Sequence, residues 1–167
     1  LAEGSMDVNE HGEPKRITLN LGSHRRVHAE QAREYFRDLF DCEVTVHSVP
    51  SKPTVLYVRC GNRAVASLFS RLCPGNVYTK KVPSQVMSSS RSVRLSCLRG
   101  WFDGDGHVNT HGRGMAASVS FDLAEGMFAL AVSCGIRIKM SKVRQRKRSK
   151  EHMRLSLGAP AVGQIYP

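Results

Sequence analysis

Two carboxylates, Asp103 and Asp105, close the stretch Leu98-Arg99-Gly100-Trp101-Phe102-Asp103-Gly104-Asp105-Gly106. Upstream, Val93, Leu95, Cys97, Leu98, Trp101 and Phe102 recur at mixed three- and four-residue steps, and Gly106 supplies a stop, so the spacing predicts a helix that ends here. Acids in the last turn of a helix face the partial negative end of its dipole. Something positive must offset them, and a divalent cation is the candidate that turns the misplacement into chemistry. Gly100 and Gly104 lie four apart and stack on one helix face, where their missing side chains predict close contact with a second helix.

A cation held by carboxylates suits hydrolysis of a phosphodiester, because it acidifies an attacking water and screens the leaving oxygen. Mg²⁺ in particular takes one or two protein carboxylates and leaves positions for water and phosphate. The charge balance fits such a substrate: 25 Lys and Arg against 14 acids give +11 at pH 7, an excess that points to a polyanion, although a merely basic soluble domain would share it. With 167 residues and 41% hydrophobic content, the chain can build one domain or two small subdomains sharing a core. No stretch approaches the length of a membrane span and no signal peptide is visible, so no membrane partner and a cytoplasmic location are expected. Cys42, Cys60, Cys73, Cys97 and Cys134 are scattered without a CxxC pair and read as reduced, mostly buried thiols. His107 and His111 lack the further ligands of a zinc site and are expected to flank a hairpin turn.

The elements that must position these acids come in a repeating order. After polar residues up to Pro14, Ile17, Leu19 and Leu21 alternate with Arg16, Thr18 and Asn20, a strand with one wet face. His28 to Phe40 carries Ala29, Ala32, Tyr35, Phe36, Leu39 and Phe40 at helical spacing. Two β-rich runs, Cys42 to Val49 and Thr54 to Cys60, flank Pro50-Ser51-Lys52-Pro53 and predict a hairpin; a second helix covers about residues 62–72 and stops at Pro74-Gly75. The series then restarts: a strand at Met115 to Phe121, a helix at Leu123 to Cys134, and strands at Ile136 to Met140 and Met153 to Leu157. Ala29-Glu30 answers Ala124-Glu125, Val58-Arg59-Cys60-Gly61 answers Leu155-Ser156-Leu157-Gly158, and Glu3-Gly4 answers Asp105-Gly106 about 100 residues on. That spacing is right for a duplicated subdomain. The expected division is a first repeat over 1–79, a linker over 80–91 and a second repeat over 92–167, in a chain that reads as a fragment trimmed at both ends.

Residues 98–106 resemble the LAGLIDADG motif of homing endonucleases and of the DOD-type endonuclease domains inside inteins, with Leu98, Gly100, Asp103, Asp105 and Gly106 matching directly. Leu1-Ala2-Glu3-Gly4 resembles the tail of the family's first motif. The resemblance implies an α+β fold of two pseudo-symmetric αββαββα repeats whose antiparallel saddle sheets pack on helices and whose motif helices meet through Gly100 and Gly104. It implies that Glu3 and Asp105 each hold Mg²⁺ at a scissile phosphate, and that the product is a double-strand break in DNA. In related intein endonucleases a Lys-x-Ile-Pro pattern brings a lysine to the active site, which Lys80-Lys81-Val82-Pro83 resembles, so Lys80 joins the catalytic candidates; read bare, the same residues are a solvated loop.

The sheets would be the DNA platform. Arg16, Arg59, Arg137 and Lys139 occupy wet strand positions, while Lys142, Arg144, Arg146, Lys147, Arg148 and Lys150 form the densest positive run, either an arm along phosphates or a solvated loop. The leading expectation is a monomeric, Mg²⁺-dependent, site-specific endonuclease acting on double-stranded DNA. Against it stand a cleavage-deficient nucleic-acid binder of the same fold, such as an RNA maturase or transcription regulator, and a small basic ribonucleoprotein component.

Overall fold

The computed structural model describes residues 4–144 and 151–166. Glu3, Arg146, Lys147, Arg148 and Lys150 lie outside the described residues. The described chain forms two compact units, residues 4–72 and residues 73–166.

The first unit runs β1 (Gly4–Val8), β2 (Pro14–Gly22), a 3-10 turn (Ser23–Arg25), α1 (Arg26–Phe40), β3 (Thr45–Val49), β4 (Lys52–Cys60) and α2 (Arg63–Leu72). Its antiparallel sheet has the order β1-β2-β4-β3. Register separates the faces: Met6, Ile17 and Cys60 align on one, and Asn20, Tyr57 and His47 on the other. The first of these faces, with Leu56 and Val58, meets Ala29 and Phe36 of α1 and Val65 and Ala66 of α2 to make the core. Phe36, Phe40 and Phe69 cluster with ring centroids about 6 Å apart. The apolar stripe of α1 is narrower than its spacing suggests, since Tyr35 and Leu39 stand 64% and 70% exposed. Asn62 Oδ1 accepts from the N–H groups of Ala64 and Val65 and so starts α2.

The second unit runs α3 (Ser84–Met87), α4 (Arg91–Asp105), β5 (Gly106–Val108), β6 (Gly114–Ser118), α5 (Phe121–Ser133), β7 (Ile138–Val143), β8 (His152–Leu157) and α6 (Ala159–Ile165). Its sheet order, β5-β6-β8-β7, repeats that of the first unit element for element. The core joins Leu98, Trp101 and Phe102 of α4 to Leu123, Met127 and Leu130 of α5 and Leu155 and Leu157 of β8. Residues expected to be linker take part in it: Val82 is 7% exposed within this core. Among the described residues no helix is long and apolar enough to cross a membrane.

The repeat is visible down to single hydrogen bonds. Ala29 and Ala124 are the fourth residues of α1 and α5, and Cys60 and Leu157 end β4 and β8. Val8-Asn9-Glu10-His11-Gly12-Glu13 and Val108-Asn109-Thr110-His111-Gly112-Arg113 form the same hairpin turn. In each, the Asn side-chain oxygen accepts from the backbone N–H groups two and four residues on, and Gly12 and Gly112 take φ of 76° and 71°. These turns join β1 to β2 and β5 to β6; the polar reading of residues up to Pro14 passes over β1. Residues 42–44, expected in a strand, precede β3 instead, where Cys42 Sγ donates to the Phe40 carbonyl and accepts from Asn62 Nδ2.

Candidate functional site

The helix predicted from apolar spacing is α4, and its last residue is Asp105. Ser90 accepts from Val93 N–H to begin it. Arg91 ties its start to the end of α5 by donating to the Cys134 carbonyl at 3.1 Å. Trp101 and Phe102, 2% and 3% exposed and edge to face at 5.3 Å, root the final turn in the core. Gly106 stops the helix, but its backbone is extended and not left-handed, at φ −105° and ψ 171°. Glycine is required there by proximity: a Cβ would lie 2.5 Å from the Phe102 carbonyl oxygen and 2.8 Å from its ring.

The two acids of this turn differ in their surroundings. Asp103 accepts a hydrogen bond from the Tyr166 hydroxyl at 2.7 Å, and Arg99, one turn back, approaches it at 3.9 Å with its guanidinium over the Tyr166 ring. Its compensation is therefore supplied by protein groups. Asp105 is solvent-accessible and makes no ion pair among the described residues. Crowding by surrounding protein atoms still raises its carboxyl above the usual carboxylate range by desolvation, while the positive charge of Lys80 and the indole N–H of Trp101 pull the other way. Accessibility decides whether a cation or phosphate can reach the group, and crowding decides its proton affinity; the two are compatible. Trp101 Nε1 is buried without an acceptor in hydrogen-bond geometry, so its influence on Asp105 is that of a dipole, not of a formed bond.

Lys80 thus lies near enough to Asp105 to favour the ionised carboxylate. Its carbonyl accepts from Ser120 Oγ at 2.6 Å. Gly100 and Gly104 sit on α4 as expected; Gly100 is exposed, and no atom lies within 4 Å of where its Cβ would be.

Each sheet turns one face to helices and leaves the other open. In the first unit the open face carries Asp7, Arg16, Asn20, His47, Tyr57 and Arg59. Arg16 donates to Asp7 through Nε at 2.7 Å, so its charge is balanced by a carboxylate on the strand beside it. Arg59 lies over Tyr57 at 5.2 Å, Tyr57 stacks on His47 at 5.7 Å, and Arg59 Nε is buried with no hydrogen-bond partner among the described residues. In the second unit the open face carries His107, Met115, Ala117, Lys139, Ser141, Arg154 and Ser156. Arg137 is exposed just ahead of β7, and Arg144 is exposed just after it. Lys142 departs from the expectation of a basic loop: it lies within β7, aligned with buried Met153 on the helix side of the sheet. There it pairs with Glu151 at 3.1 Å and covers the Phe121 ring. Arg154 escaped the sequence reading, although its alternation between Met153 and Leu155 was the signal that marks an outward residue.

Residues 92–159 match the model of the LAGLIDADG-like domain. DNA polymerases of Thermococcus sp. (strain GE8) and Thermococcus hydrothermalis are 32% and 30% identical over 80 residues, 48% of this chain; the chain spans only 5% of the length of these relatives. Among solved structures, the homing endonuclease I-DmoI in complex with DNA and Ca superposes with a TM-score of 0.71 at 10% identity, covering 97% of this chain and 78% of that one. I-DmoI in complex with DNA and Mn gives 0.68 at 11%, covering 97% and 85%. Full-length DUF199/WhiA from Thermatoga maritima gives 0.60 at 12%, covering 99% and 49%.

Proposed function

We propose that this chain, which carries a LAGLIDADG-like domain on the LAGLIDADG homing-endonuclease fold, is a site-specific endonuclease that hydrolyses double-stranded DNA with a divalent cation, Mg²⁺ by preference. The observation that carries the reading is the division of labour in one helix turn: Asp103 is engaged by Tyr166 and Arg99, whereas Asp105 stays accessible beside Lys80. The donors fit the cation. Asp105 offers hard, accessible oxygens. A site with few protein ligands, completed by water and phosphate, is what Mg²⁺ favours. When bound, the cation supplies an acidified water and screening of the leaving oxygen.

Asp105 would hold the cation, and the Lys80 ammonium would stabilise negative charge on the phosphoryl oxygens. Glu3 serves the second strand in the same way, so the product is a double-strand break made by a monomer. Arg16, Arg59, Arg137, Lys139, Arg144 and Arg154 hold the duplex, with Arg146, Lys147, Arg148 and Lys150 following its phosphates, whereas Lys142, paired with Glu151 on the helix side of its sheet, takes no part. A shared stretch covering 5% of a polymerase chain suits an endonuclease domain carried within a larger protein, as in an intein.

The test is cleavage of long duplex DNA in Mg²⁺ and Mn²⁺ by wild type and Asp105→Asn. The substitution is expected to abolish cutting and to leave DNA affinity within a few fold of wild type. Undiminished cutting by Asp105→Asn refutes the assignment, and metal-independent binding without any cutting by the wild type identifies a nucleic-acid-binding module instead.

A further inference from the structure

Lys80 belongs to neither a helix nor a strand, yet its backbone is held on both sides. Two residues of α5 and its cap supply one. Ser120, 0% exposed, donates its hydroxyl to the Lys80 carbonyl at 2.6 Å and accepts from Leu123 N–H at 3.3 Å, so the same oxygen that caps the helix also holds the lysine's peptide unit. Gly126, inside the helix, gives Val82 its seat: a Cβ there would lie 2.8 Å from Val82 Cγ2 and 3.2 Å from Val82 Cβ. A glycine in a helix interior costs about 1 kcal/mol relative to alanine, and close approach of another segment is a reason to keep one. Residues 80–82 therefore lie along α5, pinned at both ends. Behind Lys80 the chain is also braced, since its N–H donates to the Asn76 carbonyl at 2.9 Å.

We infer that Ser120 and Gly126 are positioning residues that set Lys80 for catalysis, a conclusion that rests on the nuclease reading above. Neither touches the reacting atoms. Each acts by fixing the backbone on either side of Lys81, and loosening either attachment displaces the ammonium without removing it.

The experiment measures single-turnover nicking of supercoiled plasmid DNA, with affinity measured separately, for Ser120→Ala, Gly126→Ala, Lys80→Met and the pairs with Lys80→Met. Misplacement by about 1 Å lowers rate by up to roughly 100-fold, so Gly126→Ala and Ser120→Ala are expected to lose roughly 10- to 100-fold in rate with little change in affinity. Ser120→Thr, which keeps the hydroxyl, restores most of it. In the Lys80→Met background neither substitution lowers the rate further, a result that a purely structural role would not produce. Gly126→Ala leaves the Ser120 cap untouched and keeps the test sound if Ser120→Ala unfolds. Wild-type rates in Gly126→Ala, or losses that multiply with that of Lys80→Met, overturn the inference alone. A wild-type chain that nicks no plasmid in Mg²⁺ or Mn²⁺ overturns the nuclease reading and this inference together.

Discussion

Asp103 and Asp105 are chemically identical and two residues apart, and their difference comes from what surrounds them. Because desolvation by the surrounding protein atoms raises the Asp105 carboxyl above the usual carboxylate range, the folded state binds more protons than the unfolded one once pH climbs above about 4. Stability contributed by this group is therefore present in acid and lost as pH rises through the folded-state value. Asp105→Asn is expected to melt slightly higher than wild type at pH 7, with the difference closing below about pH 4; a lower melting temperature at pH 7 would contradict the upward shift. Residue types and spacing made this turn conspicuous in the sequence. They could not separate the two acids, since the Tyr166 hydroxyl that engages Asp103 comes from 63 residues away. Lys80 was legible only through a resemblance, and Ser120 and Gly126 not at all, because a serine before a helix and a glycine within one are each common.

At the scale of elements, the long amphipathic runs were legible and the short ones were not. The helices α1, α2 and α5 and the strands β4 and β8 follow from their periodicity, whereas β1 and β5 have five and three residues and too few apolar positions to show alternation. The better signal for them was the repeated Val-Asn-x-His-Gly of the two turns, whose identity is plain once the hydrogen bonds are matched. The junction of α4 with β5 depends on one missing side chain. Gly106→Ala places a Cβ against the Phe102 carbonyl, and relief by opening the last helical turn is expected to cost about 1–3 kcal/mol in denaturant unfolding. The same shift moves Asp105, so cutting falls more than stability does; unchanged unfolding midpoints would show that the contact relaxes freely.

For the molecule as a whole, the sequence conveyed a duplicated α+β plan and a net charge of +11, and both units do share one strand order. What it could not convey was which basic residues remain available on the open sheet faces. Arg16 is partnered by Asp7, Lys142 turns to the helix side and pairs with Glu151, and Arg59 lies over Tyr57, while Arg154 has an exposed side chain. Binding to duplex DNA should weaken roughly 10³- to 10⁵-fold between about 50 and 200 mM salt if about 6–10 phosphates are contacted. Arg154→Ala is expected to weaken binding across unrelated sequences and to lower the salt slope by about one, as measured by titrations at several salt concentrations. A flat salt response would remove the platform.

The paired hairpin tips carry a last implication. Their backbones coincide hydrogen bond for hydrogen bond, yet Glu10 and Glu13 in one stand where Thr110 and Arg113 stand in the other. Since the Asn side-chain oxygen and the left-handed Gly carry the shape, the backbone is kept while the variable positions differ in sign. One tip is left repelling anions and its counterpart attracting them, opposite electrostatics built on one turn geometry.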